Sequence, residues 1–203
     1  MTSNISEQAI AETIAFHGHS CPGLAIGIRV ADYVREEFGE VECQNLLCVT
    51  ETDMCGVDAI QFLTGCTFGK GNLIHRDYGK AAFSFYNIEA KRAFRLVLRP
   101  DARGGAHAQL AELMVKSQNG ELSQQDKERI AELRGAMQER LLTLPLEEMF
   151  AVHSIEFKPP RGARILQSLT CEACGEQTME SRTRRFAGRT LCIPCYEQVE
   201  QKV

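Results

Sequence analysis

Residues 16–39 read FHGHSCPGLAIGIRVADYVREEFG, and the structural interpretation of the chain starts from this stretch. Its apolar residues alternate as they would in a strand, at Leu24, Ile26, Ile28 and Val30. Pro22, however, suits the first position of a helix, and Gly39 suits a position just after its end. We therefore predict a helix over residues 23–38.

Apolar patterns farther along the chain predict the other elements. Helical spacing and capping residues predict helices over residues 6–16, 57–63, 106–117 and 124–142. Short apolar runs predict strands over residues 46–50, 73–74, 82–88, 93–98 and 152–158. This order of elements predicts an α+β fold in which a mixed or antiparallel sheet is packed with helices.

Length and composition place the chain among globular proteins. Of its 203 residues, 44% are apolar and 25% are charged. No run approaches the roughly 20 apolar residues of a membrane span, and the first residues lack the pattern of a secretory signal. We therefore expect a cytoplasmic protein with no membrane partner. A net charge of −4 argues against extensive nucleic-acid binding but allows a local basic patch.

The best candidate for a domain boundary lies at residues 157–162. The adjacent Pro159 and Pro160 can neither continue a helix nor occupy a central strand, and a glycine follows two residues later. The net charge also changes, from −6 over residues 1–160 to +2 over residues 161–203. We predict an α+β core domain over residues 1–160 and a small domain over residues 161–203.

The small domain contains the strongest motif, two C-x-x-C pairs separated by 17 residues. The ligands are Cys171, Cys174, Cys192 and Cys195. The cysteine count of the chain is nine, an odd number, and without an export signal this favours metal binding over a disulfide framework. Four thiolates complete a tetrahedral zinc shell, so we predict a structural zinc ribbon. A redox dithiol pair or a labile metal is the alternative.

Arginines accumulate between the two cysteine pairs of the ribbon. They are Arg182, Arg184, Arg185 and Arg189. Such a cluster can bind phosphates or the carboxylates of a partner, although a solvated hairpin face is the favoured interpretation. Nucleic-acid binding stays a secondary possibility, because basic and aromatic residues do not interleave densely.

A second cluster of potential ligands is His17, His19 and Cys21, spaced by two residues. In an extended loop this spacing places all three side chains on one side. Cys21 precedes Pro22 and is therefore expected at a helix N-terminus, where a thiolate is favoured. The cluster predicts a metal site or an activated nucleophile. In the alternative, the segment is a glycine-rich turn whose histidines cap the helix or bond backbone carbonyls.

A third cluster lies between residues 51 and 80. Cys55 and Asp58 surround a turn, and the glycine-rich segment of residues 65–72 includes Cys66 and Lys70. This segment resembles an anion-binding loop, since glycines let backbone amides approach a ligand, but it lacks the residue order of a P-loop.

These motifs together resemble the family of the formylmethanofuran dehydrogenase E-subunit. The resemblance extends over roughly residues 10–155 and includes H-G-H-S-C-P-G at residues 17–23. Residues that match the family motifs are His17, His19, Cys21, Cys55, Asp58, Cys66 and Lys70. The resemblance implies an α+β core with a metal-capable pocket, a zinc ribbon, a homodimer, a role in one-carbon metabolism, and a molybdenum or tungsten oxidoreductase as partner. Nothing in the chain resembles the molybdopterin-binding catalytic component.

Three functional hypotheses follow. The first is a metal-binding accessory or redox-linked protein, with His17, Cys21 and Cys55 as ligands of a second metal, zinc or iron, and with His19 nearby. Copper also fits these ligand types, and Cys55 with Cys66 is an alternative redox pair. The second hypothesis is an interaction or regulatory module that uses the ribbon arginines. The third is a thiol-dependent enzyme with Cys21 as nucleophile; the sequence leaves open whether the protein is an enzyme.

Overall fold

The computed structural model describes residues 5–162 and 164–200. The chain divides into two compact units, a core unit within residues 1–162 and a ribbon unit within residues 163–203. No helix among the described residues is both long enough and apolar enough to cross a membrane. Each unit is described by itself below.

The core unit contains six helices and five strands in its described part. The helices are α1 (Glu7–His17), α2 (Pro22–Phe38), α3 (Gly56–Thr64), α4 (Ala106–Gln118), α5 (Gln124–Thr143) and α6 (Leu146–Met149). The strands are β1 (Leu46–Thr50), β2 (Leu73–His75), β3 (Ala82–Asn87), β4 (Arg92–Leu98) and β5 (Phe150–Ser154). The α+β fold class predicted from the sequence is therefore confirmed.

The sheet is mixed, with the strand order β2-β1-β3-β4-β5. Only β1 and β2 are parallel, and α3 forms the crossover between them. The other neighbouring pairs are antiparallel. Because parallel strands end at the same edge of a sheet, the loop from β1 to α3 leaves the sheet at its carboxyl edge. Cys55 lies at the end of this loop.

Helix α2 is the central element of the core unit. One side packs on the sheet through Ala25, Ile26, Val30 and Val34. The opposite side packs against α1 and α3 through Leu24, Ile28 and Ala31. Since α2 is buried on nearly all sides from Leu24 to Asp32, its apolar residues do not follow a single stripe. This explains the strand-like alternation in its sequence.

The last strand of the core differs from the prediction. We predicted a strand over residues 152–158, which is wrong in its bounds, because β5 begins at Phe150, directly after α6, and ends at Ser154. Beyond the strand, Phe157 packs against Tyr86 on the sheet face opposite the helices, with 6.4 Å between the ring centroids. The alternating apolar residues after Ser154 therefore cover the sheet instead of extending it.

The ribbon unit is built from two short hairpins and a helix. Its elements are β6 (Ser168–Thr170), β7 (Gln177–Met179), β8 (Thr183–Phe186), β9 (Arg189–Cys192) and α7 (Ile193–Glu200). Among the described residues of this unit, the buried apolar cluster comprises Cys171, Leu191 and Cys192, with Cys195 and Tyr196 packed against it. A core this small supplies little folding free energy, so a bound metal has to supply the rest.

Candidate metal centres

The four cysteines of the ribbon unit form one compact cage. Their sulfur atoms all lie within 4.8 Å of one another, and those of Cys174 and Cys192 are 4.0 Å apart. Zn–S bonds of about 2.3 Å in a tetrahedron separate the sulfurs by about 3.8 Å. The cage therefore fits a zinc ion with little movement, and the ligand chemistry is that of structural zinc.

Backbone groups and neighbouring thiols distribute the protons of this cage unevenly. The backbone N–H groups of Cys174, Cys192 and Ala173 lower the pKa of Cys171 to about 6. The neighbouring sulfurs, that of Cys192 first, raise the pKa of Cys195 to about 12. Four adjacent thiolates repel one another, and a divalent cation at their centre removes that repulsion.

The arginine cluster lies on the hairpin between the cysteine pairs. Arg184 and Arg185 belong to β8, and both are exposed. The hairpin turns at Ala187 and Gly188, both with positive φ. Arg184 bonds the carbonyl of Thr183. The guanidinium of Arg185 donates to the side-chain hydroxyl of Thr190 across the hairpin, and both arginines stay exposed to solvent.

A second cluster of ligands lies in the core unit. One ligand atom from each of four residues lies within 4.8 Å of the others, and these residues are His17, His19, Cys21 and Cys55. The first three come from the end of α1 and the loop to α2, and the fourth precedes α3. The structure thus brings the imidazole–thiol run beside Cys55, as the sequence interpretation required.

Close helix packing places Cys55 beside Cys21. A Cβ atom added at Gly27 would lie 2.0 Å from the carbonyl oxygen of Gly56, so only glycine fits there. One turn earlier, a Cβ atom at Gly23 would lie 3.1 Å from that of Cys55. The glycine face of α2 therefore lets the N-terminus of α3 approach within backbone contact.

The two thiols of the core cluster are held differently. Cys21 is the N-cap of α2, and its Sγ accepts a hydrogen bond of 3.4 Å from the backbone N–H of Leu24. Burial and the adjacent Cys21 thiol raise the pKa of Cys55. Without a cation, Cys55 therefore resists ionisation, and a bound metal would favour the thiolate.

Asp58 orients one imidazole of the cluster. Its carboxylate accepts a hydrogen bond of 2.7 Å from Nδ1 of His17. A carboxylate is an acceptor only, so Nδ1 carries the proton and the neutral ring keeps a lone pair on Nε2. That Nε2 atom lies 4.0 Å from Sγ of Cys21. A carboxylate behind a histidine is the usual outer support of a metal ligand.

His19 completes the set, although the sequence interpretation placed it only near the metal. Its ring lies 4.4 Å from that of His17, centroid to centroid, and it is exposed. The resulting donors are two imidazole nitrogens and two sulfurs. A tetrahedral zinc ion separates nitrogen and sulfur ligands by about 3.6 Å, so the cluster needs only a small contraction. Such mixed ligands suit zinc, iron or copper.

The structure does not bring Cys66 and Lys70 into this cluster. Both follow the C-terminus of α3, whereas Cys55 precedes its N-terminus, and a helix of nine residues is about 13 Å long. A disulfide between Cys55 and Cys66 therefore does not fit this fold. Burial raises the pKa of Cys66 to about 11, which keeps this thiol protonated.

The glycine-rich segment around Lys70 is tied back onto the core unit. The ammonium of Lys70 donates to the carbonyl of Gly65 at 2.9 Å and lies 3.8 Å from Sγ of Cys43. The side-chain amide of Asn72 donates to the carbonyls of Cys43 and Leu46. These contacts give the segment a structural role in holding the loop between α3 and β2.

One signal of the site was present in the sequence but was not used. Gly23 and Gly27 are separated by three residues, a small-xxx-small pattern that lets another backbone approach a helix closely. With this pattern, a helix that begins with a glycine, as α3 does with Gly56, becomes a candidate for close packing against α2. The predecessor of Gly56, Cys55, is then expected beside the N-terminus of α2, in agreement with its prediction as a ligand.

Two family comparisons cover most of the chain. Residues 16–151 match the family described as FmdE, Molybdenum formylmethanofuran dehydrogenase operon. Residues 164–201 match the prokaryotic dksA/traR C4-type zinc finger. The second match agrees with the four-sulfur cage of the ribbon unit and identifies it as a C4 zinc finger.

Individual relatives agree with these matches. A probable S-adenosyl-L-methionine-binding protein of Archaeoglobus fulgidus is 31% identical over 188 residues, 89% of this chain and 50% of that protein. The chain thus spans about half the length of this curated relative. A crystal structure of a tungsten formylmethanofuran dehydrogenase FmdE-like protein from Syntrophus aciditrophicus is 25% identical, covers 100% of both chains and superposes with a TM-score of 0.64. The resemblance inferred from the motifs is confirmed, and the chain belongs to the FmdE family.

Proposed function

We propose that the protein is a metal-binding accessory protein whose core unit holds a catalytic-type or transferable metal ion, separate from the structural zinc of the ribbon unit. The observation that carries the proposal is the convergence of His17, His19, Cys21 and Cys55 within 4.8 Å. Asp58 supports it, because the carboxylate leaves Nε2 of His17 available to a metal.

Zinc is the ion that these ligands favour most. Two thiolates and two imidazoles give the tetrahedral coordination that zinc adopts, and two thiolates cancel its double charge. Iron(II) is the next candidate by ligand type. When bound, such an ion supplies Lewis acidity. The chain's own contribution is to hold two sulfurs at helix N-termini and to fix the tautomer of His17.

Metal analysis of the full chain tests the core centre. The purified parent should contain two metal ions per chain, and Cys21→Ala should contain one. Cys43→Ala is the matched control, because Cys43 is an exposed thiol outside both clusters, and it should keep two ions. If the parent contained one ion per chain and Cys21→Ala contained the same number, the result would contradict a metal centre in the core unit.

The accessory part of the proposal rests on the family description, which refers to a molybdenum formylmethanofuran dehydrogenase operon. We propose a molybdenum or tungsten oxidoreductase as the partner. Affinity purification of the tagged full chain from a host that expresses such an enzyme should recover the enzyme's polypeptides. Recovery of none of them under mild salt conditions would contradict this partner.

The same geometry supports a second candidate function, a thiol-dependent enzyme. Cys21, His17 and Asp58 stand in the order nucleophile, base and orienting carboxylate, with separations of 4.0 Å and 2.7 Å. In this alternative, Nε2 of His17 would take the proton of the Cys21 thiol. The presence of Cys55 and His19 at the same point favours the metal centre, because a nucleophile needs neither.

Alkylation of the metal-free chain separates the two functions. With iodoacetamide near pH 7, a Cys21 nucleophile should react at least about tenfold faster than the exposed Cys43, and Asp58→Asn should slow it. Equal rates at the two thiols would contradict the enzyme alternative. A rate at Cys21 that falls on adding Zn²⁺ would support the metal centre instead.

A further inference from the structure

We infer that the coordination position of His19 is exchangeable and accepts a neutral heteroaromatic nitrogen donor from outside the chain. The ring of this ligand would lie against an exposed aromatic pair, Phe16 and Phe62. The inference rests on the proposed metal centre of the core unit and names the class of molecule that this centre would bind.

Three of the four ligands are anchored by other parts of the fold. His17 is held by the hydrogen bond from its Nδ1 to Asp58. Cys21 is held by the backbone N–H of Leu24. Cys55 is held by packing against α2, where its side chain lies over Gly23. A metal that binds these three side chains would therefore find them already in place.

His19 has no comparable anchor. Its ring makes no hydrogen bond to a described residue. In the described part of the chain, the one aromatic ring in contact with it is that of His17. The side chain is exposed and follows Gly18, which has φ of 90°. Outer-sphere hydrogen bonds fix metal ligands in place, so the ligand without one exchanges most easily. Three fixed protein ligands with one open position are typical of zinc centres that bind an outside molecule.

An exposed aromatic pair joins the same two helices as the bond between His17 and Asp58. The rings of Phe16 and Phe62 are 5.5 Å apart, and the residues are 56% and 41% exposed. Phe16 directly precedes His17, and Phe62 follows Asp58 by one helical turn on α3. The aromatic pair therefore bridges α1 and α3 next to the bond between His17 and Asp58. Two aromatic rings that are tilted by 33° to one another and left open to water offer an apolar surface that another ring can cover.

The charges around the centre favour a neutral donor. A divalent ion held by the sulfurs of Cys21 and Cys55 would have its charge cancelled by two thiolates, and the carboxylate of Asp58 lies behind His17. An anionic ligand would meet this negative charge at short range, whereas a neutral nitrogen donor would not. A planar heteroaromatic nitrogen base satisfies both the metal and the aromatic pair.

Cobalt substitution of the full chain tests the inference. The parent chain and His19→Ala are each loaded with Co²⁺ and titrated with imidazole and with 4-phenylimidazole, and the visible d–d bands are followed. The spectrum of Cys21→Ala serves as the reference for the ribbon centre. Both probes should shift the core bands, and 4-phenylimidazole should bind about three- to tenfold more tightly, because its phenyl ring gains an aromatic contact.

Two further variants assign the aromatic contact. In the His19→Ala background, Phe16→Ala should remove the advantage of 4-phenylimidazole and leave imidazole binding unchanged. Tyr78→Ala is the matched control, since Tyr78 is 59% exposed and belongs to the loop after β2. It should keep the advantage.

The outcomes separate this inference from the proposed function. If the chain shows no thiolate-to-cobalt bands beyond those of Cys21→Ala, the core metal centre itself fails. If those bands are present but neither probe shifts them, the metal centre stands and the exchangeable position is overturned. Equal affinity for the two probes, or an advantage that survives Phe16→Ala, overturns the heteroaromatic assignment.

Discussion

Gly27 of α2 and Gly56 of α3 are in direct backbone contact. A Cβ atom added to Gly27 would lie only 2.0 Å from the carbonyl oxygen of Gly56. The core metal centre depends on this contact, because it places Cys55 beside Cys21. Gly27→Ala should force α2 and α3 apart and destabilise the chain by about 1–3 kcal/mol. It should also abolish metal binding in the core unit while the ribbon ion stays bound. Urea denaturation and metal analysis measure the two effects.

Gly135→Ala is the control for this substitution. Gly135 lies within α5, and a Cβ atom there would meet nothing within 4 Å. Alanine is a better helix former than glycine, so this variant should gain about 0.5–1 kcal/mol and keep both ions. A Gly27→Ala variant that keeps full metal content would contradict the dependence of the centre on close helix packing.

The bond between Asp58 and His17 should set the affinity of the core centre. Asp58→Asn preserves the shape of the side chain but removes the charge that favours the Nδ1–H tautomer of His17. Metal affinity should fall by about 10- to 100-fold, as for other outer-sphere partners. Competition with a chromophoric chelator measures it. Asp53→Asn, at an exposed position outside the cluster, should leave the affinity unchanged.

The ion pair between Glu51 and Arg95 should make stability depend on pH. Arg95 donates two hydrogen bonds, of 2.6 Å and 2.9 Å, and these lower the pKa of Glu51. The pair therefore stabilises the fold above the unfolded-state pKa of about 4.3, and the contribution is lost as the pH falls through the lower folded-state pKa. Glu51→Gln should cost about 1–3 kcal/mol at pH 7. Its difference from the parent should shrink between pH 5 and pH 3.

An exposed pair provides the comparison for this effect. Nζ of Lys158 lies 2.7 Å from Oε2 of Glu156, but both side chains are largely exposed. Glu156→Gln should change the free energy of unfolding by less than about 0.5 kcal/mol at any pH in this range. Denaturant titrations at several pH values measure both variants. A Glu51→Gln difference that is constant from pH 7 to pH 3 would contradict the assignment.

The ribbon ion should be independent of the core ion. Cys192→Ser removes one of the four sulfurs and should release the ribbon metal, leaving one ion per chain in the core unit. Because the apolar cluster of the ribbon unit is so small, this unit should also lose its ordered structure. Amide hydrogen exchange should become fast in residues 168–200 and stay slow in β3 and β4. Retention of two ions would contradict the cage.

The sequence was sufficient for the elements whose cause is local. Pro22 and Gly39 bound α2 correctly, although its apolar residues alternate like those of a strand. The zinc site of the ribbon could likewise be predicted from local sequence, because two C-x-x-C turns can bind one ion in many different folds. The bounds of β5 were missed, because the burial of Phe157 on the second sheet face is a tertiary effect that no local pattern contains.

The candidate site was only partly predictable for a geometric reason. His17, His19 and Cys21 are close in sequence, and their loop keeps them close in space. Cys55 and Cys66 are also close in sequence, but α3 between them is a rigid rod that holds them at opposite ends. The length of α3 therefore excludes Cys66 from the site, and the contact between Gly27 and Gly56 brings Cys55 into it.

An anomalous-scattering map at the zinc absorption edge, from crystals of the full chain, tests the central claim most directly. We expect two peaks, one among the four ribbon sulfurs and one within bonding distance of His17, Cys21 and Cys55. A single peak in the ribbon unit, with the core thiols free of metal, would contradict it.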